Sequence, residues 1–405
     1  MTPSRRDAFR FWLKLGLVSF GGPAGQIAIM HREVVESRRW VDEPTFMQAL
    51  NVCMLIPGPE ALQLVVWLGW RLHGPLGGVV AGACFVLPSM ALLMGLSWMY
   101  ALHGDVLVVD AALAGLKATV IALILQALVR IGGRALRNPV HWLLAIAACV
   151  LVLGRFASFP LVLLAAALAG LLAAGEQGAH SDATPPAALP WRTLASGILL
   201  WCLPALAIVS IAGANSLLAD LYRFFTGAAL VTFGGAYAIL AWVNQQAVEA
   251  YAWVTQADTI AGLALAETTP GPLIMVLQFV GFMAGWHASG GDLAFAVAAA
   301  LVTSWATFLP AFVLVLACAP FVLKLAGNRW LAAALAGITA AVVGVIASLA
   351  LAFGRSVLFP AGLAAPDWGA IAIAALAFAA LQWTRLDVLW VIGGGLAAGL
   401  ALGFA

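Results

Sequence analysis

Short motifs of Gly and Pro interrupt two apolar stretches near the start of this sequence. Phe-Gly-Gly-Pro occupies residues 20–23, and Pro-Gly-Pro occupies residues 57–59. Gly lets a ligand approach the backbone and Pro favours the first turn of a helix, so each motif predicts a helix that ends and restarts. We expect the restarting helices over residues 24–39 and 60–72. Because helix N-termini carry exposed N–H groups and a partial positive charge, the predicted chemistry is binding of a small oxyanion.

Both motifs recur in the second half of the chain. Phe-Gly-Gly returns at residues 233–235 and Pro-Gly-Pro at residues 270–272, each 213 residues after its first occurrence. Further along, Leu-Pro at residues 87–88 returns at residues 309–310, a shift of 222 that a short insertion around residues 287–295 explains. Two motifs at one separation predict a duplicated sequence. The two copies together supply four helix N-termini for one site.

A few polar and charged side chains lie within the apolar stretches. The charge of Lys117 is energetically costly inside a membrane, which makes this residue a functional candidate. It could be a partner of the anion or a structural partner of Glu60. Glu267 could titrate during proton coupling or only cap the neighbouring break. Thr268 and Thr269 could donate to an anion, although such hydroxyls more often bond to their own helix backbone.

The candidate set follows from these motifs and side chains. The predicted substrate-binding residues are Phe20, Gly21, Gly22, Pro23, Gln26, Pro57, Gly58, Pro59, Glu60, Gln63, Lys117, Phe233, Gly234, Gly235, Thr268, Thr269, Pro270, Gly271 and Pro272. The candidates for proton coupling are Glu60 and Glu267. The sequence predicts no catalytic residue, metal ligand or cofactor.

The composition defines the class of protein that must position these residues. Of 405 residues, 64% are hydrophobic and only 9% are charged, whereas soluble domains carry roughly 25% charged residues. This predicts an all-α polytopic membrane protein. The net charge of +2 argues against nucleic-acid binding, and the five cysteines lie in apolar stretches without metal or disulfide spacing. The sequence contains no Walker A motif, which argues against ATP-driven transport.

The chain divides at a single sustained polar, Pro-rich stretch. We predict a first repeat over residues 1–175, a cytoplasmic linker over 176–190, an extra transmembrane helix over 191–213, and a second repeat over 214–405. An unpaired span between two copies would invert the second copy in the membrane.

The distribution of basic residues agrees with that inversion. The loop after the first Phe-Gly-Gly holds Arg32, Arg38 and Arg39, whereas its counterpart over residues 244–257 holds neither Lys nor Arg. Because short loops rich in Lys and Arg stay in the cytoplasm, the two copies are predicted to face opposite ways. Inverted repeats of this kind are typical of secondary transporters.

A cytoplasmic N-terminus then requires the segments 9–30 and 44–71 each to begin and end on the cytoplasmic side. A half-segment of about 13–15 helical residues rises about 20 Å, enough to reach the middle of a hydrocarbon core about 30 Å thick. We therefore expect re-entrant hairpins whose broken tips meet near the midplane. Full spans with a differently placed loop remain the alternative.

Five stretches of this chain resemble the chromate ion transporter family in its long, two-domain form. They are FGGPAGQIAIMHREVV (20–35), LIPGPEALQLVVWLGWRLHG (55–74), FVLPS (85–89), TFGGAYAIL (232–240) and TTPGPLIMVLQFVGF (268–282). The resemblance covers nearly the whole chain. It implies export of chromate from the cytoplasm across the inner membrane, exchanged against or driven by protons, with sulfate as a chemical look-alike.

The resemblance therefore implies an antiporter for chromate that works by alternating access and confers chromate resistance. Its expected partners are the oxyanion, protons and membrane lipid, and a homodimer is compatible with the sequence. One alternative is a transporter or channel for another small anion such as sulfate, and a channel would lack coupling to a pH gradient. A membrane-embedded enzyme that reduces chromate is disfavoured, because neither a cofactor motif nor a thiol pair is present.

Overall fold

The computed structural model describes residues 3–104, 106–173, 190–233, 235–322, 329–384 and 386–403. These residues form helices and connecting turns, with no β-strand among them. The predicted all-α fold is confirmed.

The described residues from 3 to 173 form seven α-helices and one π-helical segment. They are α1 (Arg5–Val18), α2 (Gly22–Met30), the π-helical segment His31–Ser37, α3 (Glu43–Cys53), α4 (Glu60–His103), α5 (Leu107–Ala135), α6 (Pro139–Leu153) and α7 (Phe159–Ala173).

A long apolar helix and further helices, π-helical and 3₁₀ segments follow. They are α8 (Trp191–Ala212), α9 (Leu217–Leu230), α10 (Ala236–Asn244), the π-helical segment Gln245–Ala250, α11 (Gln256–Thr268), the 3₁₀ turn Leu273–Met275, α12 (Val276–Ser289), α13 (Leu293–Cys318), the 3₁₀ turn Ala319–Phe321, α14 (Arg329–Leu358), α15 (Trp368–Trp383) and α16 (Val388–Gly403).

Several of these helices can cross a bilayer. Within the described residues, five are long and apolar enough by length and composition: Glu60–His103, Leu107–Ala135, Trp191–Ala212, Leu293–Phe321 and Trp330–Leu358. A span needs about 20 apolar residues, which each of them exceeds. The chain is therefore a multi-pass membrane protein. The predicted linker over 176–190, apart from Pro190, lies outside the described residues.

The helices break where the Gly and Pro motifs predict. Helix α1 ends at Val18 and α2 begins at Gly22, while α3 ends at Cys53 and α4 begins at Glu60. The first restarting helix, expected over 24–39, runs over 22–37 and becomes π-helical from His31. The second was expected to end at residue 72, and α4 loses helical geometry at His73 and Gly74 before it continues.

Local details also recur at the offset of 213 residues. The π-helical segments His31–Ser37 and Gln245–Ala250 occupy matching positions. The residues that follow them, Arg39 and Ala252, have unusual positive φ angles of 50° and 51°. These shared irregularities are the structural counterpart of the repeated motifs.

The chain forms two compact units, and each draws on both halves of the sequence. The first unit contains Met1–Met94, Ala174–Ala236 and Thr269–Ala332. Its core is aromatic and includes the fully buried side chains of Trp12, Trp67, Phe85, Phe225 and Phe279. Helix α13 packs against α8, α9 and α12 in this unit. All the helix breaks at the four motifs except the end of α11 lie here.

The second unit contains Gly95–Ala173, Tyr237–Thr268 and Ala333–Ala405. Helix α5 lies at its centre and packs against α11, α15 and α16. The contact with α16 is close because small residues meet: a Cβ on Gly399 would lie 2.6 Å from the backbone nitrogen of Gly115.

Candidate functional site

Two backbone hydrogen bonds bring the four motifs together within the first unit. The N–H of Gly58 donates to the carbonyl of Thr232 at 2.8 Å, and the N–H of Gly271 donates to the carbonyl of Ser19 at 2.9 Å. Gly58 corresponds to Gly271, and Ser19 to Thr232, at the offset of 213. Each Pro-Gly-Pro motif therefore contacts the residue just before the Phe-Gly-Gly motif of the other copy. We call these four residues the tip crossing.

Both positions in the Pro-Gly-Pro motifs require glycine. Gly58 has a φ of +132° and Gly271 a φ of +98°, which residues with a side chain rarely adopt. Space is also lacking, because a Cβ on Gly58 would lie 2.9 Å from Ala311 Cβ, and a Cβ on Gly271 would lie 2.6 Å from Ser89 Cβ. Small residues let the two tips approach closely enough for backbone bonding.

The hydroxyl groups of the tip crossing are directed back into their own helices. Ser19 Oγ donates to the carbonyl of Leu15 at 2.5 Å, and Thr232 Oγ1 donates to the carbonyl of Ala228 at 2.7 Å. The groups that face the opposite tip are therefore backbone atoms.

Two buried glutamines hold the tips in place. Gln26 Nε2 donates to the carbonyl of Gly271 at 2.5 Å, with a second carbonyl, that of Ser19, at 3.4 Å. Gln63 Nε2 donates to the carbonyl of Pro57 at 2.7 Å and to that of Ile56 at 3.1 Å. The Oε1 atoms of both glutamines are buried without a partner in the described part of the chain. These residues were predicted to bind the substrate, and in the structure their amide groups donate to the broken backbone.

Two of the restarts after the motifs, at α2 and after Pro272, have N-termini without a capping side chain. Helix α2 begins after Gly21, which has a φ of +83°, and it carries Pro23 in its first turn as expected. The 3₁₀ turn that follows Pro272 likewise has no side-chain cap. Uncapped helix starts leave backbone N–H groups that can bind an anion.

Glu60 opens α4 beside the second Phe-Gly-Gly motif. A Cβ on Gly235 would lie 3.7 Å from Glu60 Oε1, so the carboxylate lies next to this motif. A carboxylate in the first turn is favourable for the helix itself. Phe233 is partly exposed in the same motif, and Gly234 lies outside the described residues.

The neighbouring threonines differ in their surroundings. Thr268 Oγ1 donates to the carbonyl of Leu265 at 2.7 Å. Of the two alternatives considered for this hydroxyl, donation to an anion or to its own helix, the structure shows the second. Thr269 is buried, together with Pro270 and Pro272.

Sequence comparison identifies the family of this chain. Residues 6–171 and 219–400 match the sequence profile of the chromate transporter family. A chromate transport protein from Pseudomonas aeruginosa is 36% identical over 343 residues, which cover 84% of this chain and 78% of that protein. The chain belongs to the chromate transporter family. The predicted resemblance is thereby confirmed.

Other members of the chromate transporter family align over similar lengths. A probable chromate transport protein from Synechococcus elongatus is 30% identical over 88% of this chain and 86% of its own length. A chromate transport protein from Cupriavidus metallidurans is 25% identical over 85% and 81%, respectively. No solved structure matches the chain. Because these relatives are named as transport proteins, the prediction that the chain is a transporter and not an enzyme is confirmed.

The second unit of this chromate transporter family member contains the buried carboxylate of Glu267. Tyr237 OH donates a hydrogen bond to Glu267 Oε1, and the glutamate is only 6% exposed. A buried carboxylate is costly to ionise unless it is well paired. A group with one phenol donor is suited to gaining and losing a proton.

Lys117 lies in the middle of α5 and is half-buried. No hydrogen bond or ion pair to its ammonium group occurs among the described residues. Its role as a partner of the anion or of Glu60 stays a prediction.

Ser89 is a polar residue of the site that the motifs did not predict. It lies on α4, is fully buried, and its Oγ has no partner in the part of the chain that the structure describes. Its side chain contacts Gly271, as the steric limit on that glycine shows. The available signal was its place directly after the repeated Leu-Pro pair at residues 87–88.

Proposed function

We propose that this protein exports chromate from the cytoplasm by proton-coupled alternating access. The observation that carries the proposal is the tip crossing: two matched glycine N–H donors, each at the broken tip of one copy, in a member of the chromate transporter family. The names of the relatives supply chromate as the substrate.

Chromate is a tetrahedral dianion, and its oxygens need hydrogen-bond donors without competing side chains. The N–H groups of Gly58 and Gly271 currently donate to carbonyl oxygens. When the tips part, these donors are released and bind oxygens of chromate in place of the carbonyls. The uncapped start of α2 contributes further N–H groups and a favourable dipole.

The alternating access that we propose depends on two inverted copies of the repeat. The matching π-helical segments, positive φ angles and tip bonds support a duplication, and the distribution of Arg residues supports opposite orientations. The copies rock about the fixed site and open it alternately to either side of the inner membrane.

Charge and proton movement complete the cycle. Lys117 balances the charge of the anion, and Glu267 gains and loses the coupled proton, with Glu60 as the second candidate. The burial of Glu267 and the hydrogen bond that it accepts from Tyr237 support this assignment. We expect Lys117→Ala to lower chromate flux strongly, because an uncompensated dianion is costly at membrane depth.

Flux into inverted vesicles tests the proposal. Labelled chromate or sulfate is added outside vesicles with an acid interior, and vesicles without a pH gradient and vesicles from cells lacking the protein are the controls. The proposal predicts chromate accumulation that depends on the gradient and is inhibited by excess sulfate. Flux that ignores the gradient would identify a channel, and absence of flux for both anions would refute the substrate assignment.

A further inference from the structure

The hydroxyl group of Ser89 lacks the partner that similar groups in this protein have. Hydroxyls buried in membrane helices usually donate to a carbonyl of their own helix. In this chain, the side chains that donate to the carbonyl four residues earlier include Ser19, Thr119, Thr232, Ser304 and Thr307. Ser89 is as buried as these residues, yet its Oγ has no partner among the described residues.

The position of this hydroxyl relates it to the tip crossing. A Cβ on Gly271 would lie 2.9 Å from Ser89 Oγ, so the hydroxyl lies directly beside the tip of the second copy. The N–H of the same glycine donates to the carbonyl of Ser19 at 2.9 Å. A ligand oxygen that replaced Ser19 O would therefore come within reach of a second donor.

Among the described residues, the other tip has no hydroxyl at the matching position. The nearest polar atom to a Cβ on Gly58 is Gln63 Nε2, at 2.7 Å, and it already donates to the carbonyls of Ile56 and Pro57. At the offset of 222, Ser89 corresponds to Ala311, whose methyl group occupies the matching position beside Gly58. The backbone donors are therefore paired by the duplication, but the hydroxyl occurs at one tip only.

We propose that Ser89 is a substrate-binding residue whose hydroxyl donates to the transported oxyanion next to the Gly271 N–H. Ser89 and Gly271 together bind oxygens of one tetrahedral anion, while Gly58 contributes its N–H alone. A buried hydroxyl without a hydrogen-bond partner lowers stability, and here it keeps a donor available to the ligand. This inference rests on the proposed function, since it assigns a further ligand to the same site.

A matched control is available within the same unit. Thr303 Oγ1 is also buried without a partner in the described residues, but it lies against Gly281 of α12. Thr303→Val removes this hydroxyl with little change of shape. If an unpaired hydroxyl mattered only for packing, the two variants would behave alike.

Equilibrium binding of labelled chromate and of labelled sulfate to the purified protein in nanodiscs tests the proposal. The variants are Ser89→Ala, Thr303→Val and the double variant Ser89→Ala/Ala311→Ser, each first checked for a single elution peak and an unchanged melting temperature. Ser89→Ala should fold, because alanine occupies the corresponding position in the other copy. Loss of one hydrogen bond to an anion weakens binding by about tenfold or more. We expect this loss for Ser89→Ala, wild-type affinity for Thr303→Val, and partial recovery in the double variant, because its hydroxyl lies at the other tip.

The outcomes separate this inference from the proposed function. If the wild type and Ser89→Ala bind chromate within twofold of each other, the role of Ser89 is refuted and the substrate assignment stands. If the wild type binds only sulfate, with the same dependence on Ser89, the role of Ser89 stands and the substrate assignment is refuted. Absence of binding of either anion to the wild type overturns both.

Discussion

The two copies agree in the backbone of the tip crossing and differ in the side chains around it. Gly58 and Gly271 donate matched backbone bonds to Thr232 and Ser19, and both hydroxyl residues of the crossing bond to their own helices. Four polar residues around the crossing belong to the first copy, whereas the buried Thr269 belongs to the second. These four residues have apolar counterparts in the second copy: Gln26 corresponds to Ile239, Gln63 to Val276, Glu60 to Leu273 and Ser89 to Ala311.

This difference separates two tasks within one site. The shared backbone groups form the crossing itself and provide donors that do not depend on side chains. The side chains of the first copy stabilise that crossing and add charge and hydroxyl chemistry on one side. We infer that disturbing the shared part abolishes function, whereas changing the unequal part alters affinity or coupling.

The largest effect is expected at the shared glycines. Gly271→Ala would place a side chain at a φ of +98°, which costs about 1–2 kcal/mol. The overlap of the new Cβ with Ser89 would cost a further ~1–3 kcal/mol. We expect chromate flux to fall more than about tenfold and the melting temperature to fall with it. Gly58→Ala should behave alike.

Gly227→Ala is the control for this pair, since nothing lies within 4 Å of a Cβ at that helical position. Normal flux in Gly271→Ala, or a loss in only one of the two glycine variants, would break the proposed equivalence of the tips.

An intermediate and selective effect is expected at Glu267, whose counterpart at the offset of 213 is Met54. Glu267→Gln keeps the shape of the side chain and a hydrogen-bond acceptor for Tyr237 but cannot release a proton. We expect accumulation driven by a pH gradient to be lost while exchange down a chromate gradient continues. Measurement of both fluxes in the same vesicles separates coupling from binding, and equal loss of both would contradict a role in coupling alone.

The smallest effect, on local stability, is expected at the N-termini of α3 and α11. The Asp and Thr of the cap occupy opposite positions in the two copies, since Asp42 corresponds to Thr255 and Thr45 to Asp258. Asp42 Oδ1 accepts from the N–H of Thr45 at 2.8 Å, whereas Thr255 Oγ1 accepts from the N–H of Asp258 at 3.1 Å. Hydrogen bonds from Thr45 hold the pKa of Asp42 below its usual value. The contribution of this cap is therefore complete above the ordinary pKa of Asp, about 4, and is lost as the pH falls through the lowered value.

Hydrogen exchange corrected for the intrinsic rate measures this difference. On acidification, the amide of Thr45 should lose protection, whereas the bond accepted by the Thr255 hydroxyl is unaffected by titration of its acceptor. Asp42→Asn should remove the pH dependence, because Asn caps without titrating. Persistent acid sensitivity in that variant would assign the effect to another group.

Local chemistry explains which features could be predicted from the sequence. Gly and Pro change the backbone conformation only of their own turn of the chain. The helix breaks and the restarts near residues 22 and 60 could therefore be predicted from the sequence. The tip bonds could not, because they join residues separated by 174 and 252 positions, such as Gly58 and Thr232. Ser89 was missed because its place after the repeated Leu-Pro pair did not indicate that its hydroxyl lacks a hydrogen-bond partner among the described residues, which only the packing reveals.

The central claim is that the two copies are inverted, so that their tips meet in one site. Arg39 and Ala252 test it most directly, because they are equivalent, exposed and share a positive φ. Each is replaced by cysteine in a background without the native cysteines and treated with a membrane-impermeant maleimide. The account predicts labelling of Arg39→Cys only in inverted vesicles and of Ala252→Cys only in intact cells. Labelling of both from the same side would contradict it.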